Sequence, residues 1–138
     1  MPPFIHFKNR FPMKLKHGLM LLPALLLSCG VYALTLAPYS PDALATLQAA
    51  GEPVALHFHA SWCPTCRAQD QALEVLKADP ALKITVLKVD YDKETMLRKQ
   101  LKIRSQSTFI IYRGTVEKSR PIGETSPESL RTALRLAL

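Results

Sequence analysis

The chain has 138 residues, of which 48% are hydrophobic and 21% charged, a composition that suits one globular domain and excludes disordered, collagen-like and coiled-coil chains. The formal charge of +7 is unevenly placed: Lys8, Arg10, Lys14 and Lys16 put more than half of it in residues 1–33, which hold no acid. The rest of the chain intersperses both signs, which argues against a nucleic-acid partner, because such partners call for a basic stripe on a folded face. The three cysteines, Cys29, Cys63 and Cys66, are too few for a disulfide-stapled scaffold.

In chain order, the first feature is a leader. Lys14, Lys16 and His17 precede an apolar run from Leu19 to Val31. The run is shorter than the roughly 20 residues that span a bilayer. Val31-Tyr32-Ala33 follows, with small residues at the −3 and −1 positions of a cut. A basic start, a short apolar run and such a site form the pattern of a secretory signal peptide. Met13 opens a more typical signal, which places the true start there; a peptide mapped upstream of Met13 would sink that reading. Leu26-Leu27-Ser28-Cys29 also resembles the bacterial lipobox, whose cysteine is lipidated. The plainer alternative is that Cys29 is one more small apolar residue of the run. Three fates therefore stand open: cleavage after Ala33, lipidation at Cys29, and an uncleaved membrane anchor. Each sets the domain outside the cytoplasm, in a periplasm or another extracytoplasmic space, where disulfides persist.

Residues 34–39 read as a tether, and residues 40–138 as the domain. Ser40 suits an N-cap, Pro41 a first helical position and Gly51 a helix end, so 40–51 reads as a helix with Leu44 and Leu47 on its apolar stripe. Pro53 to Ala60 is a nearly continuous apolar run of strand length, as in a buried central strand. Cys63 to Lys77 reads as a helix with Ala68, Ala72, Leu73, Val75 and Leu76 on one broad face, ended by Asp79-Pro80. Ile84 to Val89 is rich in β-branched residues and reads as a second central strand. A charged helix spans Asp92 to Leu101. Thr108 to Tyr112 and Val116 to Arg120 form two strands around the Arg113-Gly114 turn. Ser126-Pro127-Glu128 opens a last helix that runs to Leu138, with Leu130, Ala133, Leu134 and Ala137 on one face. Alternating helices and strands followed by a hairpin predict an α/β fold: a mixed four-stranded sheet with parallel pairing and an antiparallel edge, flanked by helices.

The chemistry gathers at Trp62-Cys63-Pro64-Thr65-Cys66. Two cysteines spaced i, i+3 at a strand-to-helix junction can close a small disulfide ring. The first cysteine sits at a helix N-terminus, where free backbone N–H groups and the positive end of the macrodipole stabilise a thiolate. That assigns Cys63 as nucleophile and Cys66 as the residue that resolves the mixed disulfide. A lone C-x-x-C is also half of a zinc site. No second C-x-x-C or H-x-x-x-H follows, and the nearby nitrogen ligands are His57 and His59, which fall on one face of a strand. We assign no metal and no organic cofactor.

These residues carry a resemblance. Val54 to Arg67, VALHFHASWCPTCR, resembles the active-site strand, loop and helix of the thioredoxin-like family, and with Val86 to Asp90, Ile103 to Gly114 and Gly123 the likeness covers most of residues 40–138. Pro64-Thr65 between the cysteines is similar to periplasmic reductases that serve cytochrome c maturation. The resemblance implies the thioredoxin-like fold and a thiol–disulfide oxidoreductase. Its partners would be proteins with cysteines or disulfides and an upstream redox partner. It also places Gln106, Ser107 and Thr108 opposite the cysteines as a substrate-binding loop, and Trp62 beside the nucleophile as its shield. A monomer, attached to a membrane if the N-terminus anchors it, is the expected state.

Two positions depart from the family pattern. The family usually holds a cis-proline where Ser107 stands. A cis bond before a residue other than proline costs about 2.5–4 kcal/mol, so a trans bond is expected here. The family also usually holds a buried carboxylate six residues before the first cysteine, where this chain has His57. An imidazole can move protons for Cys66, since its unperturbed pKa is about 6.5; the competing role is a core histidine held by hydrogen bonds. His59 reads as packing. Arg67 reads either as positive potential beside the thiolate or as a solvated helix residue, and Lys88 and Lys102 as solvated surface. The expected function is disulfide exchange in the reductive direction, because the chain has no inserted helical subdomain like that of the dedicated periplasmic oxidant. The alternative is a metallochaperone, for copper, or a redox-sensing adaptor using both cysteines and a histidine.

Overall fold

Val54, Leu56 and Phe58 alternate with Ala55 and His57 along one strand, and both sets are fully buried. A strand turns successive side chains to opposite faces, so burial of both sets requires cover on each side. The computed structural model, which describes residues 33–138, supplies that cover. The elements run β1 (Thr35–Pro38), α1 (Pro41–Ala49), β2 (Pro53–His59), α2 (Pro64–Leu76), β3 (Thr85–Asp90), α3 (Thr95–Gln100), β4 (Thr108–Arg113), β5 (Val116–Ser119) and α4 (Pro127–Arg135). The sheet order is β1-β3-β2-β4-β5, with β2 at the centre. Strands β1 and β2 lie parallel to β3, and β4 lies antiparallel to β2 and β5.

The sheet therefore has five strands, where the sequence predicts four. The extra strand is the segment read as a tether. Thr35 pairs with Thr85 and Pro38 with Lys88, and Leu34 just before it is buried in the core. A proline is tolerated there because an edge strand has no neighbour on its outer side to need the missing N–H. Each helix begins with proline in its first turn where the sequence places one: Pro41, Pro64 and Pro127. Ser40 and Ser126 accept the backbone N–H groups of Ala43 and Ser129 at 3.1 and 3.0 Å. The leader readings, lipidation at Cys29 included, fall outside the described residues. Among the described residues no helix is long and apolar enough to cross a membrane.

The two sheet faces make two cores. Ala55, Val86, Phe109 and Ile111 pack against Ala72, Leu73 and Leu76 of α2 and Leu130 and Leu134 of α4. Leu56, Phe58, Leu87, Val89 and Ile110 pack against Leu44 and Leu47 of α1 and Leu97 of α3. Full burial of each valine, leucine, isoleucine or phenylalanine at the centre of these cores stabilises the fold by about 1.5–3 kcal/mol. Val75, expected on the inner face of α2, is exposed instead, while Cys66 and Gln69 take the inward stripe with Ala72, Leu73 and Leu76. At about 100° per residue those five side chains fall within one arc of the helix, and Val75 lies beyond its edge.

This arrangement aims the site. His57 and His59 share the parity of Ala55 and so project to the side where α2 lies. Lys88 shares the parity of Val86 and projects the same way.

Candidate active site

Strand β2 ends at His59, and α2 begins five residues later at Pro64. The short turn between them delivers Cys63 to the N-cap of α2, with extended backbone and its Sγ accepting the Cys66 N–H at 3.1 Å. Arg67 donates from Nη1 to the Ser61 carbonyl at 3.1 Å, and so ties the first turn of the helix back onto that loop. The two residues thus sit one helical turn apart, Cys63 just beneath the surface and Cys66 deeper, both as free thiols.

The loop before β4 completes the site. Ser107 is buried at 5% exposure, and its Oγ lies 3.2 Å from Cys63 Sγ and 3.4 Å from Cys66 Sγ. Its backbone has φ +62°, in the left-handed region that residues other than glycine seldom adopt. Three hydrogen bonds hold it there. The Ser107 N–H donates to Phe58 O at 2.9 Å, and its carbonyl accepts from Gly123 N–H at 2.9 Å and from Gln69 Nε2 at 3.0 Å. As expected, the bond before Ser107 is trans, since no described peptide bond is cis.

The two thiols differ sharply. Burial pushes Cys63 up, but hydrogen bonds from the Cys66 thiol, the Ser107 hydroxyl and the N–H groups of Cys66 and Thr65 outweigh it, so Cys63 lies below the ordinary cysteine value. Burial pushes Cys66 up, and its hydrogen bond to Cys63 adds to that; the Ser107 hydroxyl and Ala60 backbone oppose it without prevailing. One sulfur is thus prepared as a thiolate and its neighbour is kept as a thiol, the division of labour that disulfide exchange requires.

The Thioredoxin family model matches residues 42–135. The chain belongs to the thioredoxin family. Among solved structures it is similar to Trxlp from Edwardsiella tarda EIB202, with a TM-score of 0.69 and 40% identity over 72% of this chain and 98% of that one. Among curated proteins it is similar to the thioredoxin of Alicyclobacillus acidocaldarius, 32% identical over 83 residues, which are 60% of this chain and 79% of that one. It is also similar to Thioredoxin-1 of Drosophila melanogaster, 35% identical over 60 residues, which are 44% of this chain and 56% of that one. The chain spans about half the length of the fly relative and of the chloroplastic M-type thioredoxin of Zea mays, of which it covers 49%.

Within this thioredoxin fold several site residues stand differently from expectation. His57 reaches neither sulfur through any described hydrogen bond. Its Nε2 meets Gln69 Oε1 at 2.9 Å, and its ring stacks on Phe109 with centroids 4.3 Å apart. The reason is its parity on β2: the imidazole points at α2 one turn beyond Cys66, where Gln69 takes it. Both hydrogens of the Gln69 amide are committed, to Ser107 O and Glu124 O, each at 3.0 Å. Its oxygen must therefore face His57, which fixes the His57 proton on Nε2. Burial then lowers the His57 pKa to about 4, against the raising effects of Gln69 and Asp70. His57 is a neutral core histidine.

Thr108 is buried and its hydroxyl donates to Ser105 O at 2.8 Å, so it is turned inward rather than toward a substrate. The Ser107 backbone is likewise spent on internal hydrogen bonds, and it is the side chain that faces the sulfurs. Gln106 is half-buried in the same loop. Trp62 is 57% exposed and donates from Nε1 to Asp92 Oδ2 at 2.9 Å, so it stands as an exposed plate beside the cysteines rather than a cover packed over Cys63. Lys88 is not merely solvated: its Nζ lies 2.9 Å from Asp70, which also sits 3.0 Å from His59 Nε2 and 3.9 Å from His57 Nδ1. Lys102 is exposed, as expected.

Sequence reasoning missed Gln69 and Asp70. Gln69 carried a signal: it occupies the inward stripe of α2 between Cys66 and Leu73, and a polar residue there requires buried partners. Asp70 carried none, since its partners lie on two different strands. Among the described residues, no three His, Cys, Asp or Glu side chains are grouped to hold a metal ion. His57 is engaged by Gln69 and His59 by Asp70, so neither completes a ligand set with the sulfurs.

Proposed function

We propose that the chain is an extracytoplasmic thiol–disulfide oxidoreductase that reduces protein disulfides through Cys63 and Cys66. The observation that carries the reading is the unequal pair: Cys63 lies below the ordinary cysteine value at the cap of α2, and Cys66 above it one turn inside. Cys63 as thiolate attacks a substrate disulfide and forms a mixed disulfide. Cys66 then attacks Cys63, closes the internal disulfide and releases the substrate as a dithiol. Exposed Trp62 and half-buried Gln106 flank the place where the substrate chain approaches.

The compartment rests on the leader pattern of residues 14–33. The reductive direction is supported by the short links between α2, β3 and α3, which leave no room for an inserted helical subdomain. Such an enzyme needs an upstream electron donor, because an oxidising compartment would otherwise trap it as the disulfide. A metal-carrying role finds no support in the placement of His57 and His59.

Equilibration of the full chain in glutathione buffers, with and without chelator, tests the direction. A potential near the thioredoxin value of about −270 mV is the expected result; one near about −120 mV would mean an oxidant. Cell fractionation with the intact mass of the recovered N-terminus tests the compartment. Recovery of the unprocessed chain in the cytoplasm would overturn it.

A further inference from the structure

Among the described residues, one side-chain oxygen reaches the two sulfurs, and it reaches both. Ser107 Oγ lies 3.2 Å from Cys63 Sγ and 3.4 Å from Cys66 Sγ. A hydroxyl has one hydrogen to donate and lone pairs to accept with, and it rotates to suit. It can donate to one sulfur while accepting the S–H of the other. Resolution is the step that lacks an evident helper, because Cys66 is fully buried and His57 keeps its Nε2 hydrogen on Gln69.

We propose that Ser107 is a catalytic residue whose single hydroxyl hydrogen is directed to whichever of the two sulfurs is the thiolate. The assignment rests on the exchange chemistry proposed above. In the reduced protein, Cys66 S–H donates to Oγ, and Oγ–H donates to the Cys63 thiolate. Cys63 attacks the substrate disulfide; a Cys63–sulfur bond forms, the substrate S–S bond breaks, and one substrate thiolate leaves. Cys63 is now a neutral disulfide sulfur and no longer holds the hydrogen bond. The Cys66 proton passes to the released substrate thiolate, and the Ser107 hydroxyl rotates to donate to the new Cys66 thiolate. Cys66 then attacks Cys63, forms the internal disulfide and expels the second substrate sulfur as thiolate. In total one dithiol monoanion is oxidised, one disulfide is reduced, and the single proton ends on the substrate.

The fold invests in this placement. The left-handed backbone of Ser107 is costly for a residue with a side chain, by about 1–2 kcal/mol. It is held by Phe58, Gly123 and Gln69 together. Gln69 in turn is held by His57, so the core histidine and the α2 glutamine position the hydroxyl without touching the sulfurs. The same hydroxyl lowers both cysteines, the behaviour of a donor that can serve either.

Stopped-flow reaction of the full reduced chain with one equivalent of 5,5′-dithiobis(2-nitrobenzoate) separates the two steps. The first coloured thiolate is released when Cys63 attacks, and the second when Cys66 resolves the mixed disulfide. Ser107→Gly removes the hydroxyl and accepts the left-handed backbone without strain; Ser107→Ala removes it and keeps a side chain. Both substitutions are expected to slow each phase about tenfold at pH 7, the effect of losing a hydrogen bond to a charged group. The deficit should close as pH rises and thiolates form unaided, which a merely structural defect would not show. Both phases keeping the unsubstituted rates and pH profiles in the glycine variant would overturn the assignment, as would a response confined to the first phase. Absence of any second release from the unsubstituted protein would sink the exchange reading itself, whereas a second release indifferent to Ser107 sinks only the role of the hydroxyl.

Discussion

The Nε2–H of His57 is held by Gln69 Oε1 at 2.9 Å, which leaves His57 Nδ1 as a buried lone pair with no hydrogen-bond partner, 3.9 Å from Asp70 Oδ1. The imidazole is therefore part of the scaffold of the site. Burial holds its pKa at about 4, below the ordinary 6.5. Between those values the unfolded chain takes up a proton that the folded chain refuses. Stability is thus expected to fall as pH drops from about 6.5 to about 4 and to level off below that, by on the order of 3 kcal/mol from this group. Denaturant unfolding across that range, with the His57 ring followed by NMR, checks it. An imidazole titrating near 6.5 would contradict the buried, neutral assignment.

Gln69→Leu deletes three hydrogen bonds at once and leaves the His57 Nε2–H and the Glu124 carbonyl without their partners. Each buried polar group left unpaired costs about 1–3 kcal/mol. Urea denaturation should therefore show a loss of about 2–5 kcal/mol, large against typical total stability. A loss under about 1 kcal/mol would mean that water replaces the amide and that the clamp on Ser107 is loose.

Alkylation should separate the two thiols. At pH 7 a limiting amount of iodoacetamide is expected to modify Cys63 and spare Cys66, because Cys63 lies below the ordinary cysteine value and keeps a trace of exposure, whereas Cys66 lies above that value and is fully buried. Peptide masses after digestion give the ratio directly. Equal labelling would contradict the assignment of nucleophile and resolver.

Asp70 gathers Lys88, His59 and His57 on the α2 side of the sheet. Asp70→Asn removes a charge that raises the His57 pKa, so His57 should titrate still lower. Because Asp70 is 31% exposed and Lys88 43%, the stability lost should be modest, about 1 kcal/mol or less. NMR titration and chemical denaturation of the same variant test both parts. A rise in the His57 value would show that the carboxylate does not act on it.

Much of this protein was legible in local pattern. The C-x-x-C at a strand-to-helix junction, the proline-led helices and the apolar run of β2 are near-neighbour relations, and the structure keeps them with boundaries moved by one to three residues, the last helix ending at Arg135 rather than Leu138. The helix Asp92 to Leu101 shortened further, to Thr95–Gln100, because Asp90 accepts the N–H groups of Asp92 and Lys93 and holds those residues in a turn. Strand β1 was not legible. Three half-buried residues and an exposed proline have no strand signal of their own, and become a strand only because β3 offers them an open edge.

The two reacting atoms are legible in the chain alone, because spacing along one helix sets Cys63 at the cap and Cys66 one turn inside. What surrounds those sulfurs comes from distant segments that folding brings together. Ser107 is 41 residues from Cys66, and Gln69 is 12 from His57 and 55 from Glu124. Such partners meet because β2 and β4 pair antiparallel and α2 lies across them. That assembly turned His57 from a proton carrier into a strut, and it set a serine hydroxyl against both sulfurs.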